Sequence, residues 1–252
     1  MSGHSKWNNI KRTKEKSDAQ RGKIFTKIGR EIAVVVKQGG SDPNVNSKLK
    51  DVIAKAKQNN MPNDSIERSI KKAAGEMSGV NYESITYEGY GVGGSAVIVE
   101  CLTDNKNRTA GDIRHAFDKH GGSLGSTGCV NYLFNRKGQI IIEKTNATNS
   151  DVVMMDSLES GAEDFIEGDD VFEVYSKPEN LNQVKSLLES KGYKILTSEV
   201  ALIPDNYIDL ENQKLEQFQK MLDALNDLDD VQEVYHNVNN LSLIHISEPT
   251  RP

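Results

Sequence analysis

QIIIEKTNATNSDVVMMDSLESGAEDFIEGDDVFEVYSKPENLNQVKSLLESKGYKILTSEV, residues 139–200, alternates between two kinds of periodicity. The runs at 139–143, 164–167, 171–175 and 193–200 are short and rich in Ile, Val, Phe and Tyr, as strands are. The runs at 150–160 and 178–191 read as helices. EGDD (167–170) makes the turn of a hairpin. The order is βαββαβ, the split motif of ferredoxin-like units.

Upstream, 82–90 and 95–103 read as strands joined by GYGVGG. NRTAGDIRHAFDKH (107–120) reads as a helix with Ile113, Ala116 and Phe117 inward, and 128–134 as a further strand. Downstream, a long amphipathic helix at 211–228 and a strand at 231–238 complete the sheet begun at Tyr82. The βαββαβ unit is then an insertion.

Three helices precede this part. The first spans 18–38 and ends at Gly39-Gly40. Ile24, Phe25, Ile28, Ile32, Val35 and Val36 form its apolar stripe, and at about 100° per residue Lys23, Lys27, Arg30 and Lys37 gather on the opposite, solvent side. The second starts near Asp42-Pro43 with Val45, Leu49, Val52, Ile53 and Ala56 as its stripe, flanked by Lys48, Lys50, Lys55 and Lys57. The third opens at Asn63 and Asp64 and carries Ile66, Ile70, Ala73 and Ala74 inward. Residues 1 to about 20 read as a basic arm, flexible unless bound. The expected class is α+β: a basic three-helix N-terminal domain (1–76), a discontinuous middle α/β domain (77–137 with 204–240), and an inserted ferredoxin-like domain (138–203), with antiparallel or mixed sheets. Residues 241–252, LSLIHISEPTRP, break this continuity. Written back into codons they resemble a transposase mosaic end running into a sequencing adapter, so they are expected to be a non-native read-through and carry no chemistry.

The 252 residues hold 31 Lys+Arg and 37 Asp+Glu, a net charge of −6. That mean hides a division. Residues 1–75 carry 17 Lys+Arg against 7 Asp+Glu, and the remainder 14 against 30. A basic third on an acidic body points to a polyanion held at one end of the molecule. No apolar run nears the roughly 20 residues of a membrane span. The N-terminus has no secretory pattern, and the two cysteines, Cys101 and Cys129, form no C-x-x-C pair. A reducing, cytoplasmic setting follows, with no membrane, no metal site and no cofactor expected.

The glycine-rich runs GYGVGG (89–94) and GGSLGSTG (121–128) match neither a Walker loop nor G-x-G-x-x-G opening a helix. They read as turns, or as places where backbone approaches a phosphate or another backbone. His115, Asp118, His120, Ser123 and Cys129 invite a hydrolase reading of a central cleft, but His115 and His120 do not share a helix face and no G-x-S-x-G elbow is present. Lys106, Arg108, Arg114 and Lys119 bring positive charge into the acidic part, either for capping and solvation or as a second nucleic-acid contact. Residues 145–176 hold nine carboxylates and no Lys or Arg, without the EF-hand pattern. This acidic face limits where a polyanion can lie and is open to a basic protein.

GHSKWNNIKRTKEKSDAQRGKIFTKIGREI (3–32), DPNVNSKLKDVIAKAKQNNMPNDSIERSIKKA (42–73) and TDNKNRTAGDIRHAFDKHGG (103–122) closely resemble the YebC-type family, which includes the mitochondrial translational activator of cytochrome oxidase. The resemblance covers residues 1–238. It implies a basic helical first domain, two α/β domains with the third inserted in the second, a central cleft and no catalysis. It implies one of two roles, DNA-binding transcriptional regulator or ribosome-associated translation factor that relieves stalling. The expected function is therefore a non-enzymatic, nucleic-acid-binding regulator, its partner promoter DNA or rRNA on the ribosome, with no small-molecule substrate. The expected phosphate contacts are Lys6, Lys11, Arg12, Lys14, Lys16, Arg21, Lys23, Lys27, Arg30 and Lys37, with Lys106, Arg108 and Arg114 behind them. Trp7 is either a base-stacking residue or a core anchor.

Overall fold

The computed structural model of the chain describes residues 18–75, 81–145 and 149–239. They form two compact units. One comprises 18–130 together with Glu211–His236, and the other Asn131–Leu210 together with 237–239.

The first unit opens with three helices, α1 (Asp18–Gly39), α2 (Ser47–Gln58) and α3 (Asn63–Gly75). Their apolar stripes meet in a core of Ile28, Ile32, Val36, Leu49, Ala56, Met61 and Ile66. α2 starts later than its Asp-Pro signal suggests. Asp42 instead caps a turn, accepting from the Asn44 amide at 2.9 Å. Asn46 then caps α2, its Oδ1 accepting from Leu49 N at 3.1 Å and its Nδ2 donating to Val35 and Gly40 carbonyls at 2.8 Å each. Val45 is left in that turn, 80% exposed, and is not part of the core stripe. Ala74 is also exposed rather than inward.

β1 (Glu83–Tyr90) and β2 (Ala96–Thr103) form an antiparallel hairpin, and α4 (Lys106–Lys119) returns across it to the two-residue β3 (Ser123–Leu124), which pairs with β1. Residues 128–133 are not the strand their composition suggests. Glu88 accepts from the amides of Gly128 at 2.8 Å and Val130 at 3.0 Å, so this backbone satisfies a buried carboxylate instead of a ladder.

The strand begins only at Phe134. β4 (Phe134–Glu143), α5 (Ser150–Glu159), β5 (Asp164–Glu167), β6 (Val171–Ser176), α6 (Leu181–Ser190) and β7 (Ile195–Pro204) give the expected βαββαβ order of the second unit. The sheet runs β5-β6-β4-β7, antiparallel throughout, which is the ferredoxin-like arrangement. Alternation puts Ile140, Ile142, Phe172 and Val174 into a core with Val153, Leu181, Val184 and Leu188 of the helices. On the opposite sheet face, buried Glu173 accepts from Gln139 Nε2 at 3.0 Å and from the Tyr175 hydroxyl at 2.5 Å. EGDD forms the β5–β6 turn, with Gly168 N donating to Val171 O at 2.8 Å.

The chain then comes back to the first unit as α7 (Asn212–Asn226) and β8 (Val231–His236). β8 pairs with β2, which completes a four-stranded antiparallel sheet in the order β3-β1-β2-β8. The α+β class is thus realised, with the ferredoxin-like unit inserted between halves of the first.

Candidate nucleic-acid interface

The basic stripe of α1 lies where helical periodicity puts it, opposite Ile28 and Ile32, but most of it is engaged within its own unit. Lys23 Nζ donates to the Asp227 carbonyl at 3.4 Å and pairs with its carboxylate at 3.0 Å. Lys27 Nζ donates to the Asn226 carbonyl at 2.8 Å. These carbonyls lie at the C-terminal end of α7, where peptide oxygens lack helical partners and the helix dipole is negative. Lys37 Nζ donates to Asn81 Oδ1 at 3.0 Å. The expectation that this side of α1 faces solvent is therefore corrected for Lys27 and Arg30, which dock α1 onto α7 and the sheet, whereas Lys37 is exposed and Lys23 keeps 41% of its side chain exposed.

Arg30 goes deepest, with 15% of its side chain exposed. Its guanidinium donates to the Asp230 carboxylate and, at 3.2 Å, to the Leu102 carbonyl, and lies 5.5 Å from the Tyr82 ring centre. Asp230 sits just before β8 and is only 6% exposed. It also accepts from Arg108 Nη2 at 2.9 Å and from the hydroxyls of Thr109 at 2.7 Å and Thr103 at 3.2 Å. Burial alone would raise its pKa. The hydrogen bonds from Thr109, Arg108 and Arg30 outweigh burial and pull it down to about 2. Asp230 in turn, with Asp104 at 2.7 Å, holds the Arg108 guanidinium still more firmly protonated.

This network absorbs much of the TDNKNR motif. Asn105 caps α4 by accepting from Arg108 N at 3.1 Å, Thr103 accepts from the Asn105 amide at 2.9 Å, and Lys106 pairs with Glu83. Arg114 is exposed on α4, and Arg21 is exposed near the start of α1. Lys6, Trp7, Lys11, Arg12, Lys14 and Lys16 lie outside the described residues.

Exposed positive charge lies also on α2 and α3. Lys48, Lys50, Lys57, Arg68, Lys71 and Lys72 are all exposed. Lys71 has only a loose 3.8 Å pair with Glu67 on its own helix. Lys55 differs, pairing with Glu31 at 2.7 Å and Glu233 at 3.7 Å. Sequence periodicity finds the basic flanks of α2 but cannot rank them above α1, because the partners that bind the α1 cations are 44 to 204 residues away along the chain.

The glycine runs pack backbone against backbone. A Cβ on Gly89 would meet Ser123 O at 2.6 Å, and one on Gly122 would meet Tyr90 O at 2.8 Å. Among the described residues, His115, Asp118, His120, Ser123 and Cys129 make no hydrogen bonds to one another. His115 is exposed, and His120 Nδ1 meets the Ala116 carbonyl of its own helix at 2.9 Å. Burial pushes the Cys101 thiol up to about 12, which leaves it a poor nucleophile. No three His, Cys, Asp or Glu side chains among the described residues are grouped as metal ligands. No described helix is long and apolar enough to cross a membrane.

A family model described as the TACO1/YebC protein N-terminal domain matches residues 5–76, and one for the TACO1/YebC second and third domain matches residues 82–238. The chain belongs to the TACO1/YebC family. It is 60% identical over 238 residues to a probable transcriptional regulatory protein of Acetivibrio thermocellus, covering 94% of this chain and 98% of the relative. A second relative with the same description, from Hathewaya histolytica, is 60% identical over 237 residues, covering 94% and 96%. The crystal structure of a conserved hypothetical protein from Aquifex aeolicus superposes with a TM-score of 0.80 at 43% identity, covering 89% of this chain and 93% of that one. In these family terms, the bonds from Lys23, Lys27 and Arg30 to residues 226–230 fasten the TACO1/YebC N-terminal domain to the region that follows it.

Proposed function

We propose that the protein is a regulator of gene expression that binds nucleic acid in the cytoplasm and catalyses no reaction on it. The observation that carries this reading is the charge division: 17 Lys+Arg against 7 Asp+Glu in residues 1–75, and 14 against 30 in the rest. Lys48, Lys50, Lys57, Arg68 and Lys71 on α2 and α3 supply an exposed part of that charge. The contact surface is this face together with Lys6, Lys11, Arg12, Lys14, Lys16 and Arg21 of the N-terminal segment, with Trp7 available to stack on a base. Arg114 is a further candidate. Lys23, Lys27, Lys37, Lys106 and Arg108 reach phosphate only where their internal contacts leave donors to spare, and Arg30 positions α1. The names of the relatives support the regulatory role.

Two targets fit a basic arm and helical face, promoter DNA and rRNA on the ribosome. The basic arm has no recognition-helix signature, and such an arm suits folded RNA at least as well as a major groove. Ribosome co-sedimentation beside a promoter-DNA shift assay at the same salt separates them. Binding to one of the two, weakened by Lys48→Glu/Lys50→Glu/Lys57→Glu, is the expected result. Binding to neither at low salt overturns the proposal.

A further inference from the structure

In the ferredoxin-like unit, α5 carries its large apolar side chains outward. SDVVMMDSLE turns Val153 and Ser157 into the unit, and Ser160 just beyond it is buried too. At about 100° per residue Met154, Leu158, Met155 and Val152 fall across the other side. They are 38%, 48%, 59% and 51% exposed. Leu187 on α6 is 40% exposed. α6 is held beside α5 by Lys191, which lies 2.5 Å from Asp156 and 3.1 Å from Glu159. Single exposed apolar residues are ordinary on a protein surface, but four within one helix of 10 residues make a patch of the kind that binds partners. Methionine suits such a patch because its unbranched thioether adapts to the surface laid on it.

The charge around the patch states what can cover it. Asp151, Glu159, Glu163 and Asp164 are exposed on or just beyond α5, and residues 145–176 contain no Lys or Arg. Nucleic acid is repelled there. A second copy pairing the same face brings like charges together. We propose that the outward face of α5 docks a basic amphipathic helical segment of a partner protein, apolar side against Val152, Met155 and Leu158 and cations against the carboxylate rim. This site is separate from the basic surface of α2 and α3, so it stands or falls independently of nucleic-acid binding.

The test uses the full chain and a labelled amphipathic peptide, with leucine at i, i+3, i+4 and i+7 and lysine elsewhere, followed by fluorescence anisotropy. A peptide of the same leucine pattern with glutamate for lysine, and a scrambled lysine peptide, are the controls. Binding of the lysine peptide alone is expected. Met155→Gln/Leu158→Gln should raise its Kd about tenfold or more at unchanged net charge. Asp151→Asn/Glu163→Gln should weaken it and flatten its salt dependence. Val45→Gln, exposed on the other unit, should change nothing. Thermal melting confirms that each variant folds. A Kd that ignores the α5 variants, or equal binding of the glutamate or scrambled peptide, overturns the proposal. So does a concentration-dependent dimer that Met155→Gln/Leu158→Gln abolishes, because the occupant is then a second copy.

Discussion

Asp230 collects donors from three parts of the chain: Arg30 of α1, Arg108 and Thr109 of α4, and Thr103 at the end of β2. Removing its charge leaves Arg30, 15% exposed, without its main counter-ion. Breaking a buried pair from one side is strongly destabilising, so Asp230→Asn should lower stability by about 2–4 kcal/mol, measured by urea unfolding. The pH dependence has a definite sign. The folded pKa of about 2 lies below the ordinary 3.8, so the contribution is present above about 3.8 and lost as pH falls toward 2. Wild type should therefore lose stability between pH 4 and pH 2 that Asp230→Asn does not lose; parallel curves would show that the carboxylate is not the titrating group. None of this is legible in the sequence. Asp229-Asp230 reads as a turn before a strand, and its partners lie 121 to 200 residues away. Glu88 is equally hidden, because it shares its face of β1 with the polar and exposed Ser84 and Thr86.

Among the elements, those with a strong apolar period are legible, because burial of one face fixes both type and phase. α1, α4, α7 and the six elements of the inserted unit all form as expected. The misreadings arise where a polar side chain takes over the backbone. Asn46 delays α2 to Ser47, and Glu88 diverts 128–130 from a strand. Asn46→Ala removes a cap and two donors to carbonyls, and should cost about 1–2 kcal/mol in thermal or urea unfolding. The open side of α1 is misread for a related reason: an amphipathic pattern says which face is apolar, not whether the polar face meets water. Lys27→Glu/Arg30→Glu should accordingly destabilise the fold, because it puts carboxylates against the Asn226 carbonyl and Asp230. Lys48→Glu/Lys50→Glu/Lys57→Glu, all exposed, should stay within about 0.5 kcal/mol per site of wild type. Equal melting temperatures for the two variants would show that the α1 ion pairs and hydrogen bonds contribute nothing.

For the whole molecule, the charge division is countable from the sequence, whereas the choice of cations that face outward needs tertiary structure. We propose that 1–76, 77–137 with 204–240, and 138–203 are its three domains; because β4 starts at Phe134 and β7 ends at Pro204, the fragment to express is 131–210, which should unfold cooperatively, since its core is drawn from its own six elements. The same exposed α2 triple, which should leave the fold intact, isolates binding. Each lysine–phosphate pairing that it removes should reduce the slope of log K against log salt by about 0.7 to 0.9. The matched control is Lys177→Glu/Lys214→Glu/Lys220→Glu, equal in charge change and exposed on the acidic body. Net charge moves identically in both, so any difference between them reports where the polyanion sits and not how charged the protein is. The α2 variant should bind more weakly with a flatter slope, and the control should change far less. If both lose affinity equally, the polyanion responds only to net charge. If the α2 variant keeps the wild-type slope, the basic helices are solvated surface and the N-terminal segment alone must hold the nucleic acid.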